Sequence, residues 1–153
     1  SSYRPEERGV LIAYASIYGN TASAALRLRD MLARRGEKRV AAVDLARSDI
    51  SRAVADAFRY HALVLAAPSY DGAVLPPMAA FLSRLKAKNW QKRTAAVIEN
   101  GSWAPSAGKV MLAALAEMKD VAVLEPMVSI RSAVSEETAT KLNELADALA
   151  ARG

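Results

Sequence analysis

Apolar residues along this chain follow two rhythms. Short unbroken runs occur at Val10-Leu-Ile-Ala-Tyr-Ala15, Arg39-Val-Ala-Ala-Val43, Ala62-Leu-Val-Leu-Ala-Ala67, Thr94-Ala-Ala-Val-Ile98 and Val121-Ala-Val-Leu124. Runs of this length without polar alternation predict strands covered on both faces. Between them the apolar positions recur at helical spacing. Ala24, Ala25, Leu28, Met31 and Leu32 share one face of a run beginning at Ala22, with Arg27, Asp30 and Arg34 on the other. The same spacing groups Ile50, Ala53, Val54 and Ala57, then Met78, Phe81, Leu82 and Leu85. Ala107, Val110, Met111, Ala114, Leu115 and Met118 form a fourth stripe, and Ala139, Leu142, Leu145, Ala146 and Leu149 a fifth.

Punctuation residues agree with these periods. Gly36 suits a helix C-cap, Ser48-Asp49 and Ser135 suit N-caps, and Pro76-Pro77 suits the first turn of a helix. Pro126 follows the fifth run, which could extend past it to Ile130. A proline costs a ladder hydrogen bond, so this strand is expected at a sheet edge. Strands alternating with helices predict a doubly wound, parallel α/β sheet with helices on both faces. In such sheets ligands sit at the carboxyl ends of the strands, beside the point where strand order reverses. The loops after the first, third and fourth strands are therefore the ones to read for chemistry.

The chain's 153 residues suit one domain. With no cysteine, a thiolate metal site, a thiol nucleophile and a disulfide scaffold are excluded. No apolar run reaches the roughly 18 residues of a membrane span, and no signal-peptide pattern opens the chain, so a cytoplasmic domain is expected. Residues 1–8 read as a linker or a remnant of a longer protein, and residues 9–153 as the domain. The net charge of +5 comes from scattered basic residues without interleaved aromatics, which favours a solvated basic surface over a nucleic-acid partner. His61, the only histidine, reads as a surface residue at the end opposite the candidate loops.

The first loop is Ser16-Ile-Tyr-Gly-Asn-Thr21. A strand turning through glycine and hydroxyl residues into a helix gathers backbone N–H groups, hydroxyls and the helix's partial positive charge at one point. That is a phosphate cradle without a lysine. An ordinary turn capped by Ser or Thr is the competing reading. The loop Pro68-Ser-Tyr-Asp-Gly72 contributes Tyr70, and Glu99-Asn-Gly-Ser-Trp-Ala-Pro105 contributes Gly101 and Trp103. Taken singly, Tyr70 could be a capping aromatic, Trp103 a loop anchor, and Glu99 either polar support or a solvated strand-end carboxylate. Asp71-Gly72 could be a plain tight turn, or a turn whose peptide can reorient because glycine tolerates positive φ. Two aromatics on loops neighbouring a phosphate cradle suit a flat ring with a phosphorylated tail.

Ser16-Ile-Tyr-Gly-Asn-Thr21 resembles the flavodoxin phosphate loop, hydroxyl-x-hydroxyl-Gly-x-Thr, with Tyr18 in place of the middle hydroxyl residue. More closely, the chain from Val10 to Ala150 is similar to the flavodoxin-like domain of flavodiiron proteins. Ala15-Ser-Ile-Tyr-Gly-Asn-Thr21, Pro68-Ser-Tyr, Pro76-Pro77 and Asn100-Gly-Ser-Trp103 carry the likeness. The resemblance implies a five-stranded sheet of order 2-1-3-4-5 and non-covalently bound FMN. Ser16, Ile17, Tyr18, Gly19, Asn20 and Thr21 would hold the phosphate. Pro68, Ser69, Tyr70, Asp71 and Gly72 would line one side of the ring, and Asn100, Gly101, Ser102 and Trp103 the other. It also implies electron transfer to a diiron, metallo-β-lactamase-like domain of the same protein, from a donor such as rubredoxin or a flavin reductase. A homo-oligomer of the full-length protein would fit the same family. Free flavodoxins are typically acidic and this chain is basic, which favours a domain working beside its own partner domain. The alternatives are a free-standing short-chain flavodoxin, a flavin-dependent quinone reductase, or a catalytically silent interaction module. A response-regulator receiver domain fails, because Ala15-Ser16 and Ala67-Pro68 stand where it needs acidic residues.

Overall fold

The computed structural model describes residues 5, 7–17, 19–70, 73–101, 107–131 and 135–151. In chain order these form β1 (Glu7–Tyr14), α1 (Asn20–Arg34), β2 (Val40–Asp44), α2 (Ile50–Arg59), β3 (Tyr60–Pro68), α3 (Pro76–Ala87) and β4 (Thr94–Asn100). Then follow α4 (Ala107–Ala116), β5 (Ala122–Val123), β6 (Val128–Ile130) and α5 (Glu136–Ala151). All pairings are parallel, in the order β2-β1-β3-β4-β5, with β6 also on β4. This is the expected 2-1-3-4-5 sheet, with one amendment. The fifth strand is two short pieces at the edge, broken at residues 124–127, where Pro126 has no N–H to give the ladder.

Successive residues of a strand point to opposite faces, so an unbroken apolar run feeds two cores. Leu11, Leu63, Leu65 and Val97 pack under α2, α3 and α4. Val10, Ile12, Val64 and Ile98 pack under α1 and α5. Burying each leucine or isoleucine in these layers stabilises by about 1.5–3 kcal/mol relative to leaving it exposed. Strand ends run further than the apolar runs suggested. β1 starts at Glu7, inside the segment read as a linker, and Glu7 pairs with both Arg39 and Arg59 (2.9 and 3.1 Å). β4 takes in Glu99 and Asn100, read from sequence as loop, because they stay in register with Ala67 and Pro68. His61 is likewise inside β3, half-buried rather than on the surface, and its Nδ1 accepts the Gly9 N–H at 2.9 Å.

Capping follows the sequence at three helices. Asp49 Oδ1 accepts the Ser51 N–H (2.9 Å) at α2, and Ser135 Oγ accepts the Thr138 N–H (3.3 Å) at α5. At the end of α1, Gly36 N–H reaches Ala33 O and Glu37 N–H reaches Leu32 O, the paired bonds of a Schellman motif. The end of α2 is different. It runs straight into β3 with no glycine, so its last carbonyls need side-chain donors. Trp90 Nε1 donates to Ala57 O (2.9 Å), and Arg93 donates to Phe58 O (2.5 Å) and Gln91 O (2.6 Å). Arg93 is a buried cation at a helix C-terminus, where the helix dipole favours it, and it stands over the Phe58 ring.

Trp90 is 1% exposed, so its indole bond is made away from water. Trp90→Phe keeps most of the apolar contact and orphans the Ala57 carbonyl. A loss of about 1–3 kcal/mol is expected. It should appear as a lower urea midpoint with unchanged slope. An unchanged midpoint would show that this bond contributes nothing net.

Candidate functional site

The carboxyl ends of β1, β3 and β4 leave the sheet at one edge and are still laced together there. Ala15 N–H bonds Ala66 O (3.0 Å), Ser69 N–H bonds Asn100 O (2.9 Å), and Gly101 N–H bonds Ile130 O (3.0 Å). They surround a cavity of about 300 Å³ lined by Ser16, Ile17, Asn20, Thr21, Pro68, Ser69, Asn100, Gly101 and Arg131. Eight of these nine were singled out from sequence. Gly19 and Tyr70 are not in the lining. Tyr18, Asp71, Gly72, Ser102 and Trp103 lie outside the described residues. A larger cavity of about 510 Å³ lies between residues 124–128 and α5, and no described residue of the three loops lines it. The smaller one brings hydroxyls, amides and a helix start together, and we take it as the candidate site.

The turn into α1 has a glycine at its N-cap. No side chain caps the helix. Ser16 Oγ instead accepts the N–H of Gly19 (3.1 Å), and Gly19 itself occupies the N-cap position with φ 89°. The Ser16 hydroxyl is thus engaged within its own turn. Asn20 and Thr21, from the uncapped first turn, line the cavity. Thr21 is 1% exposed, and its Oγ1 stands 3.5 Å from Asn100 Nδ2, across from the end of β4.

The other loops are tied down by the same local chemistry. Ser69 Oγ accepts the N–H of Ala107 (3.1 Å), joining the end of β3 to the first turn of α4. Tyr70 and Ala73 exchange two backbone bonds (2.9 Å each), closing the chain across positions 71–72. The Tyr70 side chain is half exposed. Ile17 is the other large apolar residue exposed beside the site. Tyr14, the last residue of β1, has its hydroxyl pushed above its usual value by burial and then by Asp44, against the opposing pull of Arg47 and Arg29.

Glu99 is not a solvated strand-end carboxylate. It is fully buried; Oε2 accepts from Ser129 Oγ (3.2 Å), and Oε1 has no partner among the described residues. Gly108 permits this. A Cβ there would stand 2.5 Å from Met127 Sδ and 2.8 Å from Glu99 Oε1. Arg131 is the lining residue the sequence reading missed. It follows β6, and the loop after the fifth strand was not counted among those at the strand ends. No local sequence pattern marks it; the pairing of β6 with β4 brings it to this edge.

No family model matches the sequence, and no curated protein matches it. Solved structures do. The rubredoxin oxygen:oxidoreductase of Desulfovibrio gigas superposes with TM-score 0.89 at 19% identity, over 97% of this chain and 36% of that one. The flavodiiron protein of Giardia intestinalis gives 0.85 at 21% identity, over 95% and 36%. A flavodoxin from an archaeon gives 0.81 at 18% identity, over 94% and 97%. This chain thus has the flavodoxin-like fold, and it spans about a third of the length of the first of these structures.

Gly19 tests the turn directly. None of the described residues lies within 4 Å of where its Cβ would be, so the cost of a side chain there is that of positive φ. Gly19→Ala should destabilise by about 1–2 kcal/mol, and Gly19→Asn by less, since Asn enters this region more easily. Denaturant melts of the three proteins measure it. Equal costs for Ala and Asn would mean that the left-handed backbone is not what selects glycine.

Proposed function

We propose that this chain is an FMN-binding electron-transfer domain. The observation that carries the reading is the convergence of an uncapped helix start, the hydroxyls of Ser16 and Thr21, and the ends of β3 and β4 on one cavity. The donors suit the group. A phosphate takes backbone N–H and hydroxyl donors at a helix N-terminus without needing a lysine. Pro68, Ser69, Asn100 and Gly101 line that cavity at the bonded ends of β3 and β4, and the resemblance to flavodoxins assigns them to the ring. From sequence, Tyr70 and Trp103 are the aromatics assigned to its edges. Bound flavin supplies reversible uptake of one or two electrons; the chain's own residues bind, orient and enclose it.

Within that reading, the chain serves as the flavodoxin-like part of a flavodiiron oxygen or nitric oxide reductase. Electrons would pass from a donor such as rubredoxin or a flavin reductase to a diiron site in another domain. The Asn100-Gly-Ser-Trp103 motif, the basic charge and the match to about a third of a rubredoxin oxygen:oxidoreductase support this assignment. Flavodoxins that align over nearly their whole length support the second reading, a free-standing carrier. The diiron centre is assigned elsewhere because this chain has one histidine and no cysteine, and no metal-binding cluster forms among the described residues.

The tests follow from the phosphate. Riboflavin, which lacks it, should bind far more weakly than FMN in a flavin-fluorescence titration. Loss of a charge-assisted hydrogen bond costs about 1.5–3 kcal/mol. Thr21→Ala should therefore weaken FMN roughly ten- to a hundredfold while the circular dichroism is retained. Equal affinities for FMN and riboflavin would remove the cradle. Separately, the isolated chain is expected to take up electrons when loaded with FMN and to bind no stoichiometric iron. Stoichiometric iron by elemental analysis would overturn the division of labour between domains.

A further inference from the structure

We propose that Arg131 is a charge-selective anchor for the flavin phosphate, giving this site a preference for a doubly charged phosphate monoester. The inference rests on the flavin reading and adds to it a residue from outside the three sequence-predicted loops. Arg131 lines the same cavity as Ser16, Ile17, Asn20 and Thr21, and among the described residues it is the one charged member of that lining. Every other donor there is neutral. A helix start and two hydroxyls can cradle a phosphate but supply only partial charge, whereas a phosphate monoester carries about −1.5 to −2 at neutral pH. A guanidinium supplies the missing full charge, in a planar fork matched to phosphate oxygens.

The position is set by the sheet rather than by a loose loop. Ile130 is in register with Asn100 on β4, and its carbonyl accepts the Gly101 N–H at 3.0 Å. The backbone that delivers Arg131 is thus bonded to the residues forming the adjacent wall. Arg131 is also uncommitted. Arg8, Arg35, Arg39 and Arg59 each hold a carboxylate, while no ion pair or hydrogen bond engages Arg131 among the described residues. Its side chain is exposed, so its pull on an anion should be screened by salt.

The experiment compares the parent chain with Arg131→Gln and Arg131→Lys, titrating FMN and riboflavin at about 20 mM and about 500 mM salt, where screening lengths differ severalfold. At low salt Arg131→Gln should weaken FMN roughly five- to twentyfold and leave riboflavin within about twofold. Arg131→Lys should fall between, because it keeps the charge and loses the fork. The FMN deficit of Arg131→Gln should shrink at high salt. An FMN affinity unchanged in Arg131→Gln would overturn the proposal. So would equal weakening of FMN and riboflavin, which would mark Arg131 as a support for the cavity wall. A parent chain that binds neither flavin would overturn the flavin reading itself, a result distinct from both.

Discussion

Because β1, β3 and β4 run parallel, their carboxyl ends leave the sheet along one edge, and the three loops that follow have nowhere else to meet. Register makes this meeting tight. Pro68 lies opposite Asn100, and the backbone bonds between strands continue one residue past the last ladder pair, at Ser69 to Asn100 and Gly101 to Ile130. The first loop supplies donors from one side of the cavity only. It becomes a wall of a cavity only because β3 and β4 end at the same height, and because α1 carries Thr21 across to Asn100.

The two ends of the sheet do different physical work. At the amino ends of the strands, Trp90 and Arg93 bury polar atoms against the last carbonyls of α2, and His61 bonds the backbone of β1. Those polar groups complete the fold. At the carboxyl ends, among the described residues, α1 begins without a side-chain cap and Arg131 stands in the lining without an acid. The polar groups named at the amino end bond the fold's own backbone, while those at the carboxyl end line a cavity.

Strand and helix identities were legible because each core demands its own period, and a run such as Ala62-Leu-Val-Leu-Ala-Ala67 can serve two cores only as a strand. Strand ends were less legible. Glu99 and Asn100 are polar and read as loop, yet the backbone ladder does not depend on side-chain polarity, and neighbouring strands kept them in register. Most of the described cavity lining was legible through Ser16, Ile17, Asn20, Thr21, Pro68-Ser69 and Asn100-Gly101, where turn chemistry marks the strand ends. Arg131 was not, since a single arginine after a short, proline-broken strand carries no local pattern; only the pairing of β6 with β4 brings it to the edge.

Ser69 and Ile130 also bracket positions 102–106. One holds the amide of Ala107, where α4 begins, and the other holds the amide of Gly101, where β4 ends. Both anchors lie outside the bracketed stretch, and both are made to backbone N–H groups, which every residue except proline supplies. Neither bond therefore depends on the side chain of the residue that donates it. For a scaffold of this kind, the donor half of each attachment is inherited with the backbone itself, and only the accepting half, at Ser69, is written in a side chain.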